Sequence, residues 1–298
     1  PRGILVGPVR CHRSHRGTVL WRHRAQHLLR RSRPRFWLYL AGPVLVGAVY
    51  GARSPTDLPT PELIVLFVYF LVPANLFLYG VNDIFDAEID RENPKKAGRE
   101  ALYRGDAATR WAVVGSGALG LALVPVLSAR AAPWLVGFLV LGTAYSAPPV
   151  RLKTRPLLDS ISNGLYVLPG AAAYAAVAGT APPALAVAGG WLWAMAMHTF
   201  SAIPDIEPDR RAGIRTTATV LGHRYAVAYC GVVWLLAAGV FALLDGRLAL
   251  AFLAYPVLVA GITLADVSIK RAYWWFPAIN AAAGMALTLG GLWGLVYG

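Results

Sequence analysis

The chain has 298 residues, of which 57% are hydrophobic and only 14% charged, with a mean hydropathy of +0.51. Soluble domains carry about 25% charged residues, so this composition excludes an ordinary soluble enzyme. The formal net charge is +13, but the Lys and Arg lie between apolar blocks and form no compact basic domain, which excludes a nucleic-acid-binding module.

Residues 1–33 are rich in Arg and His, and their only apolar run, Ile4, Leu5 and Val6, is too short for a signal peptide. This stretch reads as a basic cytoplasmic segment ahead of a transmembrane domain over 34–298. Cys11 falls in the basic segment and Cys230 in an apolar block, and they form no motif. A membrane-spanning helix needs roughly 17–25 apolar residues. Nine blocks approach that length, at about 34–51, 61–81, 107–127, 132–146, 161–179, 184–202, 224–243, 248–266 and 275–297. Pro, Gly or charge separates them, as at Pro148-Pro149, Pro182-Pro183 and Lys270-Arg271. The expected fold is all-α, with nine transmembrane helices around a central apolar cavity capped on the cytoplasmic side.

The basic residues set the orientation. The N-terminal segment, the 82–106 loop, Arg151, Lys153, Arg155, Arg210, Arg211, Arg215, Lys270 and Arg271 all fall on one side, against Arg53, Arg130 and Arg247 on the other. The positive-inside rule then places the N-terminus in the cytoplasm and the C-terminus outside, in a multi-pass protein of the cell membrane.

Acidic residues are scarce yet clustered. After the second block come Asn82, Asp83, Asp86 and Asp90, with 82, 86 and 90 sharing one helical face. After the sixth come Asp205 and Asp209, again four apart. Both clusters belong to the cytoplasmic ends of even-numbered spans and can converge at one depth. Carboxylates gathered there repel one another unless a cation lies between them. The donors are hard oxygens, which suits magnesium rather than zinc. Lys95 and Lys96 follow the first cluster, and Arg151 and Lys153 follow the fourth block after Tyr145. Magnesium held by two acidic clusters, with Lys and Arg close by, is a way to bind a diphosphate and assist its departure. An apolar bundle beside it shelters a carbocation from water.

These residues resemble the UbiA-type superfamily of intramembrane prenyltransferases. The match lies in Asn82-Asp83-x-x-Asp86-x-x-x-Asp90, the later Asp205-x-x-x-Asp209, and the Tyr145 to Lys153 segment. The resemblance implies that Asn82, Asp86, Asp90, Asp205 and Asp209 bind magnesium-diphosphate, with Asp83 beside them and Asp86, Asp90, Asp205 and Asp209 essential to catalysis. It also implies that Tyr145, Arg151 and Lys153 contact the diphosphate or gate its site. Within the superfamily, stretches 158–170 and 201–218 and Asn93-Pro94-Lys95-Lys96 look most like lycopene elongases of carotenoid biosynthesis. Members that prenylate aromatic acids usually carry Arg-Pro where this chain has Lys95-Lys96. The implied reaction is magnesium-dependent transfer of a dimethylallyl group from its diphosphate to lycopene, through an allylic carbocation.

Other polar residues keep two readings each. Asn75, Asn163 and His198 are candidates to line the cavity, while for His198 a helix-to-helix hydrogen bond is the favoured role over that of a catalytic base or acceptor contact. Asp159 and Asn163 either orient Lys153 or a metal-bound water, or cap a helix. Asn280 either functions or packs. The aromatic residues either shield a carbocation or form interfacial belts. Two alternative functions stand beside the first. One is prenylation of an aromatic or quinone precursor, which needs more buried polar contacts. The other is a cation or proton transporter, which places its acids nearer the midplane.

Overall fold

A computed structural model describes residues 28–29, 32–91 and 107–298, the side chains of 87–91 excepted. Among the described residues all regular secondary structure is helical. The first five main helices are α1 (Trp37–Gly51), α2 (Pro61–Leu71), α3 (Pro73–Arg91), α4 (Ala107–Leu123) and α5 (Ala132–Ser146). After α5 come α6 (Leu158–Ile161), α7 (Leu168–Ala178), α8 (Ala184–Ala202) and α9 (Ile206–Arg211). The chain ends with α10 (Thr217–Ala242), α11 (Gly246–Leu264), α12 (Ile269–Tyr273) and α13 (Phe276–Tyr297).

The ends of these helices follow from local chemistry. Thr60 caps α2 by accepting from the Leu63 amide at 3.2 Å, with Pro61 opening the first turn. Thr216 and Thr219 form a reciprocal capping box at the start of α10. Asp245 caps α11 through the Arg247 amide. Gly179 ends α7 in the left-handed region, at φ 70°.

Every expected apolar block falls on helix, but three blocks differ in detail. The second is split: Pro73 has no N–H to offer the preceding turn, so the chain breaks at Val72 and resumes as α3. The fifth is split further, with a 3-10 stretch over Ser162–Val167 between α6 and α7. There the Ser162 hydroxyl donates to the Leu158 carbonyl and the Asn163 amide to the Asp159 carbonyl, both at 2.6 Å. Such side-chain bonds compete with the helical ladder. The seventh is preceded by a short helical segment from Thr217, joined to it across a kink at Gly222, whose φ of 72° is not helical.

Five stretches among the described residues have the length and hydropathy to cross a bilayer: Pro61–Asp86, Leu158–Ala178, Thr217–Ala242, Gly246–Leu264 and Phe276–Tyr297. The other four expected blocks correspond to α1, α4, α5 and α8, which are shorter or less apolar. At 1.5 Å per residue, the 15 residues of α1 cover only about 22 Å of the roughly 30 Å hydrocarbon layer.

Two buried cores result. One joins α1, α2, α3, α5 and α7 through Leu40, Leu66, Phe77, Phe138 and Leu168; the other joins α8, α10, α11 and α13 through Phe200, Trp234, Tyr255 and Phe276. α13 returns to pack on α1, and α8 packs on the 162–167 stretch, which closes the bundle. Large apolar side chains such as Val68, Val140, Leu250 and Met285 point outward, as lipid-facing residues do. The molecule is a multi-pass membrane protein.

Candidate active site

Between the two cores lies a cavity of about 270 Å³. Its walls come from both halves: Tyr39 of α1, Tyr79 and Asn82 of α3, Tyr145 of α5, Asn163 and Tyr166 of the 3-10 stretch, Trp193 and His198 of α8, and Tyr273 of α12. Five of the thirteen tyrosines therefore serve the cavity rather than an interfacial belt. The Tyr79 and Tyr166 hydroxyls approach to 3.5 Å, and Tyr39 meets Tyr166 edge-on at 6.2 Å.

At one end the cavity meets a ladder of charge, and Asn82 joins the two. Its side chain lines the cavity while its Oδ1 accepts from Lys153 Nζ at 2.9 Å and from Ser146 Oγ at 3.1 Å. One turn on, Asp86 takes Lys153 Nζ at 2.6 Å and Arg151 Nη2 at 3.0 Å. The Asp86–Lys153 pair is largely shielded, at 14% and 11% side-chain exposure. Arg151 sits in the left-handed region at φ 42°, ahead of a 3-10 turn over Leu152–Thr154, and the Thr154 hydroxyl holds its carbonyl at 3.1 Å. That turn aims Arg151 and Lys153 at the same carboxylate.

Asp83, on the neighbouring face of α3, pairs with Arg33 at 3.2 Å. Arg33 also lies 4.7 Å over the Tyr79 ring and lines the cavity. In the sequence this residue is one Arg of the basic segment, distinguished only by its place one residue before Pro34, where a 3-10 turn leads into α1.

The second acidic cluster follows α8. Asp205 closes the 3-10 turn after that helix, two residues beyond the buried Ile203 and five beyond the buried Phe200 ring. The 203–205 turn packs on α12, which carries Tyr273 of the cavity wall; burial first, then the Tyr166 hydroxyl and last the Asp205 carboxylate push the Tyr273 phenol up to about 12. Asp209 lies on α9, where its backbone carbonyl accepts from the Ile214 amide at 2.9 Å; it is not among the cavity-lining residues. Asp90 belongs to the last turn of α3, with its side chain outside the described residues, and Lys95 and Lys96 also lie outside them.

Among the described residues no three carboxylates or imidazoles come together as a ready-made metal cage. Asn82, Asp83 and Asp86 stand at one end of the cavity, interleaved with Arg33, Arg151 and Lys153, while Asp205 and Asp209 follow α8 and are not among the cavity-lining residues. Magnesium is ordinarily held by one or two carboxylates plus substrate phosphates rather than by an all-protein cage, so this hard-oxygen set fits it.

Three residues take places that the sequence left open or misassigned. Asn75 does not line the cavity: it is fully buried at the α2–α3 break, where its amide donates to the Phe70 and Leu71 carbonyls at 2.9 and 3.1 Å. It satisfies two carbonyls of the last turn of α2, at the point where the break interrupts the helical ladder. Asp159 caps a helix, but not its own: it accepts from the Thr217 amide at 2.9 and 3.1 Å, and from the Thr217 hydroxyl, at the start of α10. Asn280 joins four helices, donating to the Tyr39 hydroxyl at 3.2 Å and to Met197 Sδ at 3.5 Å while accepting from Tyr255 at 2.9 Å. Asn163 and His198 do line the cavity.

The UbiA prenyltransferase family matches residues 40–276. The chain is 63% identical over 268 residues to a Halobacterium salinarum protein named lycopene elongase/hydratase, covering 90% of this chain and 97% of that one. A Haloferax volcanii protein of the same name is 61% identical over 267 residues, with 90% and 89% covered. The fold resembles that of a UbiA homolog from Archaeoglobus fulgidus bound to DMAPP and Mg2+, at a TM-score of 0.72 and 20% identity over 89% of this chain and 99% of that one. The resemblance seen in the acidic motifs thus extends over most of the chain, and the protein is a membrane prenyltransferase belonging to the UbiA prenyltransferase family.

Proposed function

We propose that this enzyme transfers a dimethylallyl group from its diphosphate to lycopene, with magnesium as cofactor. The observation that carries the reading is the position of Asn82, which lines an aromatic cavity on one side and touches Lys153 of the charge ladder on the other. A polar, cation-rich mouth opening onto an aromatic chamber suits a substrate with a diphosphate head and an allylic tail. The names of the two relatives support lycopene as acceptor, and the bound DMAPP and Mg2+ of the Archaeoglobus protein support the donor and the metal.

In this reading Asn82, Asp83, Asp86 and Asp90 from α3, with Asp205 and Asp209 from the other side, hold magnesium and the donor diphosphate. The metal, when bound, offsets the charge that grows on the departing diphosphate. Arg151 and Lys153 then turn from Asp86 to the phosphate oxygens, as charge-assisted donors. Tyr145 orients the head group at the boundary of the cavity, and Lys95 and Lys96 add positive charge near Asp90. The aromatic walls keep water from the allylic cation and stabilise it with their ring faces. A terminal double bond of lycopene forms the new C–C bond, leaving a tertiary cation on the acceptor that loses a proton or captures water. A cavity of about 270 Å³ is near the lower bound of roughly 300 Å³ for small-molecule sites, so it suits a five-carbon donor and one end of a long polyene. The N-terminus and the site face the cytoplasm, with 1–33 as a basic cytoplasmic segment and the C-terminus outside.

The test is product analysis by mass spectrometry, with membranes containing the protein, lycopene, dimethylallyl diphosphate and magnesium. We expect one or two added five-carbon units, lost on adding EDTA. Prenylation of an aromatic acceptor with lycopene untouched would replace the acceptor; no prenylated product from either would defeat the reading.

A further inference from the structure

Electrophilic prenyl transfer ends with a second problem, distinct from ionising the donor. Once the new C–C bond exists, the positive charge sits on the acceptor, and a base must take a proton from it or from the water that captures it. The charge ladder holds the diphosphate at one end of the cavity, whereas the acceptor occupies the aromatic part. The side chains of that part are aromatic rings, small and branched aliphatic groups, tyrosine hydroxyls, the Ser201 hydroxyl, an amide, a thioether and a single imidazole.

That imidazole is His198. It lines the cavity from α8, two turns before the Asp205 cluster, and its ring meets the Tyr145 ring edge-on at 5.9 Å. Behind it, Nε2 faces Asp159 Oδ2 at 3.8 Å. This separation is longer than a hydrogen bond, so the carboxylate acts on the ring through charge. Asp159 is fully buried and held by the amide and hydroxyl of Thr217, so it is a fixed negative group that cannot swing away. The shell behind it is fixed too: Thr199 donates to Ser160, which donates to the Met195 carbonyl and meets Tyr229 at 2.9 Å. A carboxylate next to Nε2 favours the tautomer with its proton on that nitrogen, which leaves Nδ1 as the basic atom. The arrangement has the logic of an oriented base: a ring in the reaction chamber and a buried anion behind it.

We propose that His198 is the base that ends the reaction, with Asp159 as its positioning residue; this rests on the prenyl-transfer reading, though not on the acceptor's identity. In the eliminating branch, a C–H bond next to the tertiary cation breaks, its electron pair forms the alkene, and the proton passes to His198 Nδ1. In the hydrating branch, a water oxygen bonds to the cation and the proton lost from that oxygen passes to the same nitrogen. Either branch leaves an imidazolium facing Asp159, to be deprotonated by solvent as the product leaves. Both branches compete for one base, so His198 governs how the product divides between alkene and alcohol.

The test uses the full-length protein in detergent or membranes, with whichever acceptor the wild type converts. His198→Ala should lower prenylated product by about 100-fold, in the range of a lost general base. Binding of dimethylallyl diphosphate with magnesium, followed by calorimetry, should stay within about twofold of wild type, because the charge ladder is untouched. Added imidazole should restore at least about tenfold of the lost turnover and shift the alkene-to-alcohol ratio, which a packing role would not do. His198→Gln, close in size and polar, controls for collapse of the cavity and should be as inactive as the alanine variant. Wild-type turnover and product ratio in either variant would hand the proton to another group, the released diphosphate being foremost, and overturn the proposal. A loss that imidazole does not restore would make His198 a packing residue and overturn it equally. A wild type that prenylates no acceptor would defeat the underlying reading and the inference with it.

Discussion

At the scale of single residues, the site is built from charges that neutralise one another. Asp86 is held by both Arg151 and Lys153, so its carboxylate keeps two cations in place. Removing one partner of a shielded pair strands the other charge at a cost of about 3–5 kcal/mol, so alanine here mixes loss of function with loss of stability. Asp86→Asn keeps the shape but also removes the charge that holds Arg151 and Lys153, so its activity is read alongside its melting temperature. We expect Asp86→Asn and Asp205→Asn to lower product formation by more than about 100-fold at temperatures where each variant is still folded in detergent. Near-wild-type activity in either would remove that aspartate from the diphosphate site. Lys153→Ala should raise the KM for the donor at least about tenfold and leave that for the acceptor within about twofold, read from initial rates at varied donor and acceptor. A change confined to the acceptor would place Lys153 elsewhere in the reaction. The acidic members of this set were legible because carboxylates are rare in an apolar chain. Arg33 was not, since one Arg in a basic run looks like the next; only folding brings it beside Asp83 and the Tyr79 ring.

At the scale of elements, helix breaks and close crossings shape the cavity. The interruption of the fifth block turns Asn163, Leu165 and Tyr166 toward the chamber. Gly164 makes room there for Trp191, since a Cβ would come within 1.9 Å of its ring. The crossing of α1 and α7 depends on two glycines in the same way. A Cβ on Gly47 would lie 1.9 Å from the Gly170 carbonyl oxygen, and one on Gly170 would lie 2.8 Å from that of Pro43. In lipid, small residues let helices approach closely where the hydrophobic effect supplies little drive between them. Gly47→Ala should therefore force the backbones apart and cost about 1–3 kcal/mol, read as a lower melting temperature in detergent. An unchanged melting temperature would mean that the crossing relaxes freely. The sequence showed where apolar blocks start and stop because Pro and charge mark them. It did not show the kink at Gly222 or the 3-10 stretch, since both lie inside apolar runs whose composition suits a continuous helix.

At the scale of the whole molecule, two separately packed cores face each other across the cavity. In the described contacts Asn280 is a polar link between them, tying α13 to α1, α8 and α11 through Tyr39, Met197 and Tyr255. Interhelical hydrogen bonds in membranes contribute about 0.6 kcal/mol on average and up to about 2. Asn280→Ala should cost stability in that range, read as a lower melting temperature, and reduce turnover, because Tyr39 loses the partner that holds it in the cavity wall. Full activity at an unchanged melting temperature would show that packing of α13 on α1 closes the bundle without it.

Composition, block length and the spacing of a few acids were enough to determine an all-helical membrane protein and its prenyltransferase family, and to single out the acids proposed above to hold magnesium and diphosphate. These are local properties: hydropathy accumulates along one helix, and carboxylates four apart share a face whatever surrounds them. The tertiary structure alone decided what depends on residues far apart in the chain meeting. It brought Arg33 to Asp83, assigned Asp159 to the start of α10 and the back of His198, and gathered five tyrosines from different segments into one wall. Those contacts arise where two cores pack against each other, and no pattern within a single helix records its neighbour.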